Sequence, residues 1–377
     1  MSMKLSFLLV NFYVNKLELY SRIRPNSVLC GHLCFRIMNK NKTDIYNLLS
    51  KLTLLRVINF FKVIVGYYVS RFSGKARVYG LPFSVSIEPT TSCNLRCPEC
   101  PSGLRSFSRP TGMLEENFYS KIIDQLYKHS TYIIFYFQGE PFLNTSFLDM
   151  VKYASAKKLY TATSTNAHFL DDATAKKTVE SGLDRLIISI DGTTQEVYEQ
   201  YRIGGQLQKV LDGTKNVVKW KEQLKSKTPY IVFQFLVVSP NEAQIEDAKK
   251  LAHDLGVNDI AFKTAQINDY QNGSQLIPQN EFYSRYKKMA DGNYQLKNKL
   301  LNHCWKIWQS AVITWDGKVV PCCFDKDATH QIGDLKTETF KSVWKGKPFN
   351  RFRQSVLTSR KEIDICSNCS EGGKVWA

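Results

Sequence analysis

Between residues 83 and 265 the chain alternates strictly between two hydrophobic periods, and that alternation is its strongest constraint. Short β-rich runs fall at Ser84–Glu88, Tyr132–Phe137, Thr161–Ser164, Arg185–Ile190, Ile231–Val238 and Asp259–Lys263. Helical patterns separate them at Glu116–Lys128, Thr145–Lys157, Asp172–Ser181, Lys209–Leu224 and Glu242–Leu255. Strands that alternate with helices must pair in parallel through crossovers. The region is therefore an α/β fold, either an open or closed β/α barrel or a doubly wound sheet. Asp254-Leu255-Gly256 before the sixth run reads as a helix C-terminus, where glycine accepts the left-handed conformation. With 43% apolar residues and no low-complexity tract, disorder is excluded as the main state.

After Lys263 the alternation stops. Residues 266–303 read as a polar connection with one helix near Asn280–Met289. A smaller module follows from residue 304, with a hairpin around Asp316-Gly317, a strong turn pair. Helical patterns near Glu338–Lys345 and Phe349–Ser359 complete it.

Eight of the ten cysteines fall into two groups about 200 residues apart. A chain of 377 residues needs no disulfide staples, and close, grouped spacings point to metal or cluster ligands. Cys93, Cys97 and Cys100, at spacings x3 and x2, follow the first strand, at the end of a β/α unit that carries chemistry. Three thiolates suit a [4Fe-4S] cluster with one open iron. The alternative is a zinc site completed by a distant ligand. The second group is Cys304, Cys322, Cys366 and Cys369, with Cys323 competing for the place of Cys322. Four sulfurs close a cluster completely; a structural zinc site is the alternative. Cys30 and Cys34 read as ordinary thiols, and the histidines show no metal-site spacing.

The first triad resembles the signature of the radical S-adenosylmethionine (SAM) superfamily. Three further stretches match in order: Gln138-Gly139-Glu140-Pro141 after the second strand, Ser164-Thr165-Asn166 ending the third, and Ser189-Ile190-Asp191-Gly192 ending the fourth. The resemblance implies a partial (β/α)6 barrel over residues 81–265. It implies that Gln138, Gly139 and Glu140 hold the SAM amino group, and that Ser164, Asn166 and Ser189 line the SAM or substrate pocket. Two departures stand out. Glu99 replaces the usual aromatic residue, leaving a backbone contact to the adenine without a ring, and Gln138 replaces the first glycine of a Gly-Gly-Glu-Pro pattern. Tyr201-Arg202-Ile203-Gly204-Gly205 resembles a segment of peptide-modifying relatives, in which Arg202 meets a carboxylate; a surface ion pair is the alternative.

The second group resembles the SPASM extension of these enzymes in its shortened "twitch" form, a small C-terminal α+β domain over residues 304–377 with one auxiliary [4Fe-4S] cluster. Cys322 rather than Cys323 satisfies the Gly-x4-Cys spacing of that pattern. The implied chemistry is reductive cleavage of SAM to a 5'-deoxyadenosyl radical, then hydrogen abstraction from a peptide, a protein side chain or a small polar metabolite. An external donor such as flavodoxin or ferredoxin supplies the electron, and the auxiliary cluster assists oxidation. The first 80 residues show no evident winged-helix pattern, which lowers the expectation of a leader-dependent peptide modifier.

The net charge of +17 is concentrated at the N-terminus, where residues 1–80 hold 13 Lys and Arg against Glu18 and Asp44. These cations are interleaved with aliphatics rather than with stacking aromatics, so no nucleic acid is expected as partner. Asn11 interrupts the apolar run at residues 5–14 and no small-residue cleavage site follows, so a cytoplasmic location is expected. Within the apolar stretch from Leu52 to Ser70, Arg56, Asn59 and Lys62 join Lys51 on one arc of a helix. That makes residues 1–80 a basic, partly amphipathic extension whose apolar face is expected to pack on the main domain. The alternative is a peripheral membrane contact through residues 45–71. Rival readings of the whole chain are a membrane-associated scaffold or a nucleic-acid-modifying protein with structural metal sites.

Overall fold

The computed structural model describes residues 42–373 and 375; the apolar run at 5–14, Cys30 and Cys34 lie outside them. The chain divides after Leu52. In the first unit residues 42–50 are helical.

The second unit opens with helix α1 (Leu54–Ser73), capped by the Thr53 hydroxyl and ended by Gly74 in the left-handed conformation. The core then alternates as its periodicity requires: β1 (Ser84–Ile87), α2 (Pro101–Leu104), α3 (Glu116–Leu126), β2 (Tyr132–Ile134), α4 (Phe147–Ala156), β3 (Tyr160–Thr165), α5 (Asp172–Glu180), β4 (Arg185–Ser189), α6 (Gln195–Tyr201), α7 (Leu207–Gln223), β5 (Tyr230–Val237), α8 (Ile245–Asp254) and β6 (Asp259–Thr264). Strands β1 to β6 pair in parallel in sequence order, the partial barrel. Gly256 follows α8 with φ +71°, the expected helix stop.

The connection departs from expectation. Residues 280–289 form no helix; an antiparallel pair, β7 (Tyr286–Lys288) and β8 (Tyr294–Leu296), occupies the segment. Its turn is Asp291-Gly292, with Gly292 at φ +88° and Met289 N donating to Asn293 O at 2.8 Å. That dipeptide is a hairpin signal and outweighs the helical spacing before it.

The C-terminal strands extend the core sheet. After α9 (Lys306–Gln309), β9 (Ser310–Ile313) runs parallel to β1 in the register Ser84↔Ser310 to Ile87↔Ile313. β10 (Lys318–Val320) and β11 (Gly333–Asp334) add antiparallel, giving the order β11-β10-β9-β1-β2-β3-β4-β5-β6. Helices α10 (Phe340–Lys345), α11 (Lys347–Ser359) and α12 (Asp364–Ser367) follow. A buried ion pair fixes the junction: Arg109 donates both terminal nitrogens to Glu88, at 2.8 and 2.6 Å, and Glu88 also accepts from Trp315 N in the β9–β10 turn.

Helix α1 is turned the other way from the sequence expectation. Arg56, Asn59, Val63, Gly66, Tyr67 and Ser70 face inward. Arg56 donates to the carbonyls of Tyr127, Lys157 and Lys158, at the C-terminal ends of α3 and α4. Those carbonyls have no helical partner and carry the negative end of the dipole, so a guanidinium satisfies charge and hydrogen bonding together. Asn59 exchanges two 2.8 Å hydrogen bonds with the backbone of Leu81. Tyr67 OH lies 3.1 Å from His303 Nδ1, and its ring meets Trp305 and Trp308 edge-on. Arg56 and Asn59 are buried because they have backbone to bind, whereas Lys62 of the same arc stays exposed. Arg56→Ala should lower stability by about 3 kcal/mol, since it strips a charged donor from buried carbonyls. Lys62→Ala, on the exposed side, should change it by less than about 0.5 kcal/mol. Thermal or denaturant unfolding of the two variants checks the contrast.

Candidate active site

The loop leaving β1 carries Cys93, Cys97 and Cys100, and the next backbone it meets is Gly139. An added Cβ at Gly139 would lie 2.3 Å from Thr90 O and 2.8 Å from Ser92 O, and φ is +75°, so only glycine fits. Ser92 O accepts from Glu140 N at 2.7 Å, and Gly139 N donates to Ser102 Oγ at the start of α2. The cysteine loop is thereby clamped between the ends of β1 and β2.

Glu140 ties this clamp to β3. Its carboxylate accepts from Thr165 Oγ1 at 2.7 Å, Asn166 N at 2.8 Å and Phe142 N at 3.3 Å. Burial pushes it up to about 7 despite those donors. Asn166 Nδ2 donates to Asn94 Oδ1 at 2.8 Å, which returns the network to the cysteine loop. Ser164 and Ser189, on adjacent strands, bring their hydroxyls to 3.5 Å.

Cys93, Cys97, Glu99, Cys100, Gln138, Gly139, Glu140, Ser164, Asn166 and Ser189 all line one cavity of about 360 Å³, within the range of small-molecule sites. Two of them orient in ways the sequence did not indicate. Gln138 turns its amide oxygen to 3.8 Å from Cys100 Sγ. Glu99 accepts from Asn268 N at 2.8 Å, so its side chain anchors the 266–303 connection.

Arg202 also lines the cavity. It binds the buried Asp191 carboxylate through Nε and points Nη1 at Cys97 Sγ, 3.8 Å away. The pair is interior rather than superficial, and Asp191 is further held by Leu236 N at 2.7 Å. Arg285 and Lys326 also line the cavity, and no motif had marked them. Their only sequence signal is position, one in the connection and one after Cys322 and Cys323.

Cys304, Cys366 and Cys369 of the second group gather around Arg360. Its Nη2 lies 3.3 Å from Cys369 Sγ, and its Nη1 donates to His303 O. Trp305 N donates to Gly372 O, and Gly372 packs so closely on Cys304 that a Cβ there would lie 2.3 Å from the sulfur. Cys304 is among the charges felt by Cys322, whereas Cys323 faces Lys306 and Glu371. Lys326 and Tyr136 line the main cavity, and both feel Cys323.

A family model described as the radical SAM superfamily matches residues 87–261, and one described as an iron-sulfur cluster-binding domain, SPASM, matches residues 304–370. The chain belongs to the radical SAM superfamily. Among curated relatives, this radical SAM chain is similar to a tungsten-containing aldehyde ferredoxin oxidoreductase cofactor-modifying protein of Pyrococcus furiosus, with 26% identity over 75% of this chain and 86% of the relative. It is also similar to a PqqA peptide cyclase of Bradyrhizobium diazoefficiens, with 24% identity over 74% and 77%. Among solved structures, SAM-bound SuiB of Streptococcus suis shares the fold, with TM-score 0.57 and 13% identity over 78% of this chain and 72% of that one. The protein is an enzyme whose cofactors are SAM and [4Fe-4S] clusters, including an auxiliary one.

The residues present fit these groups. Among the described residues no three His, Cys, Asp or Glu side chains close on a single metal ion, so the fit is judged on donor chemistry. Three thiols share the cavity wall, and burial pushes Cys93 up to about 11, which couples thiol deprotonation to iron uptake. In the second group Arg360 Nε is buried without a partner among the described residues, while Nη2 of the same guanidinium meets the Cys369 sulfur; a bound iron-sulfur cluster would supply sulfur acceptors there. Gly139→Ala should cost about 2 kcal/mol or more through strain and clash with the cysteine loop. Iron bound per chain in the purified variant should fall with it, measured beside the melting temperature.

Proposed function

We propose that this enzyme is a radical SAM oxidoreductase or maturase that removes hydrogen from a peptide, a protein side chain or a small polar metabolite and completes a two-electron oxidation. In this reading Cys93, Cys97 and Cys100 hold the SAM-binding cluster, and Cys304, Cys322, Cys366 and Cys369 hold the auxiliary one. When bound, the first cluster and SAM supply a 5'-deoxyadenosyl radical for abstraction from an unactivated C–H bond. The observation that carries the reading is the cavity that holds the cysteine triad together with Gln138, Gly139, Glu140, Ser164, Asn166 and Ser189.

The chain's own residues divide the work. Gln138, Gly139 and Glu140 present carbonyl and carboxylate acceptors to the SAM ammonium, while Ser164, Asn166 and Ser189 hold its polar edges. The Glu99 backbone is left to meet the adenine. Arg202 directs N–H toward Cys97 Sγ, a contact that stabilises anionic sulfur. Lys326 and Tyr136 line the main cavity and feel Cys323, the neighbour of Cys322, which supports an auxiliary cluster near enough to serve substrate oxidation. Arg285 and Lys326 in the cavity wall favour a substrate with acceptor groups, and peptides carry them in every residue. A peptide substrate also agrees with the name of the Bradyrhizobium relative.

Anaerobically reconstituted protein with SAM and a strong reductant should form 5'-deoxyadenosine. Cys97→Ala should abolish it, whereas Cys369→Ala should keep uncoupled cleavage and lose substrate oxidation. Full cleavage by Cys97→Ala would refute the site. The Glu140 proposal carries a pH signature. The free carboxyl titrates near 7, and an adjacent ammonium favours its ionised form, so SAM binds more tightly above that value. As pH falls below 7 the SAM dissociation constant should rise, approaching about tenfold per unit. Glu140→Gln should bind weakly at all pH values with that slope removed, read by calorimetric titration.

A further inference from the structure

Because α1 turns Arg56 and Asn59 inward, it leaves much of its apolar face exposed. Leu54, Leu55, Ile58, Phe61, Val65, Tyr68, Val69 and Phe72 are all exposed, Leu54 by 72% and Phe72 by 82%. At 100° per residue they fall within an arc of about 140°, opposite Val63 and Ser70. The stripe runs from one end of the helix to the other, about 27 Å at 1.5 Å per residue. Exposed apolar side chains scattered singly need no explanation, but eight on one arc, shared only with Lys62 and, at its edge, Ser73, do. Folding requirements do not account for it, since the inward face already makes the contacts that hold the helix.

Charge selects the partner. No acidic residue occurs between Asp44 and Glu88. Lys62, Arg71, Lys75 and Arg77 are exposed on α1 and just after it. Lys62 also belongs to a cationic group with Lys128, Lys341 and Lys345, which together act on His129. A helix ridge is convex, and α1 lines neither of the described cavities. A fluid surface that is apolar beneath and anionic above accepts such a ridge without shape matching. No helix among the described residues is long and apolar enough to cross a membrane, so a surface contact is the mode considered for α1.

We propose that α1 is an interfacial anchor that seats this enzyme on an anionic lipid bilayer, with its aliphatic and aromatic ridge among the acyl chains and Lys62, Lys75 and Arg77 at the headgroups. None of these side chains belongs to the cavity, so anchoring and SAM cleavage are separable.

The test is flotation of the full chain, anaerobically loaded, with two sets of vesicles: phosphatidylcholine alone, and phosphatidylcholine mixed with phosphatidylglycerol. The anionic vesicles should carry at least about tenfold more protein, and added salt should reduce it. Phe61→Asp/Phe72→Asp should lose the binding, and Lys62→Glu/Lys75→Glu/Arg77→Glu should weaken it severalfold. Both variants should keep the melting temperature and 5'-deoxyadenosine formation of the parent, which shows that they fold. Equal recovery of parent and Phe61→Asp/Phe72→Asp, or no recovery of the parent, overturns the proposal. A lipid-independent dimer in sedimentation velocity that Phe61→Asp/Phe72→Asp dissolves also overturns it, since the ridge then serves a second copy.

Discussion

The arrangement of the site depends on how closely one peptide backbone approaches another. Residues 90–92 lie against Gly139 with no room for a β-carbon, and the peptide that follows donates to Ser92 O at 2.7 Å. This contact sets the distance between the ends of β1 and β2, and with it the path of the loop that carries Cys93, Cys97 and Cys100. Glu140 extends the constraint to β3 by accepting from Thr165 and Asn166, and Asn166 closes it on Asn94. Three strand ends and the cysteine loop thus form one hydrogen-bonded frame. A radical enzyme needs such a frame, because its reactive species must meet the substrate before any other hydrogen donor.

The C-terminal strands make the second cysteine group part of the same body. β9 pairs with β1 along four residues, and the buried Glu88–Arg109 pair locks the following turn to the start of the cysteine loop. The two groups are therefore joined through a continuous sheet rather than a flexible tether. Lys326, in the loop after β10, belongs to both neighbourhoods, lining the main cavity while feeling Cys100, Glu99 and Cys323.

Much of this was legible in the chain. Parallel β/α topology brings every strand's C-terminal end to one face, so motifs placed at those ends had to share a site, and Cys93, Gln138, Ser164 and Ser189 do. What was not legible depended on partners remote in sequence. The orientation of α1 follows from Arg56 reaching carbonyls about 71 and 101 residues away, at helix ends that no periodicity marks. A hydrophobic arc predicts burial only when the polar arc has nothing better than water to bind. Glu88 and Arg109 carry no motif, and β9 reads as a local hairpin strand until its register with β1 is known. The 286–296 hairpin was written in Asp291-Gly292, a turn pair that the helical spacing before it concealed.

The central claim is that one cavity binds SAM at an open cluster while a second, fully ligated cluster stands beside it. Electron paramagnetic resonance of the dithionite-reduced enzyme, with and without SAM and with iron counted on the same sample, tests that claim directly. The account predicts about eight iron atoms per chain, the content of two four-iron clusters. It predicts two reduced-cluster signals, of which SAM shifts one and leaves the other unchanged. Zinc in place of iron, or cluster signals that SAM does not alter, would contradict it.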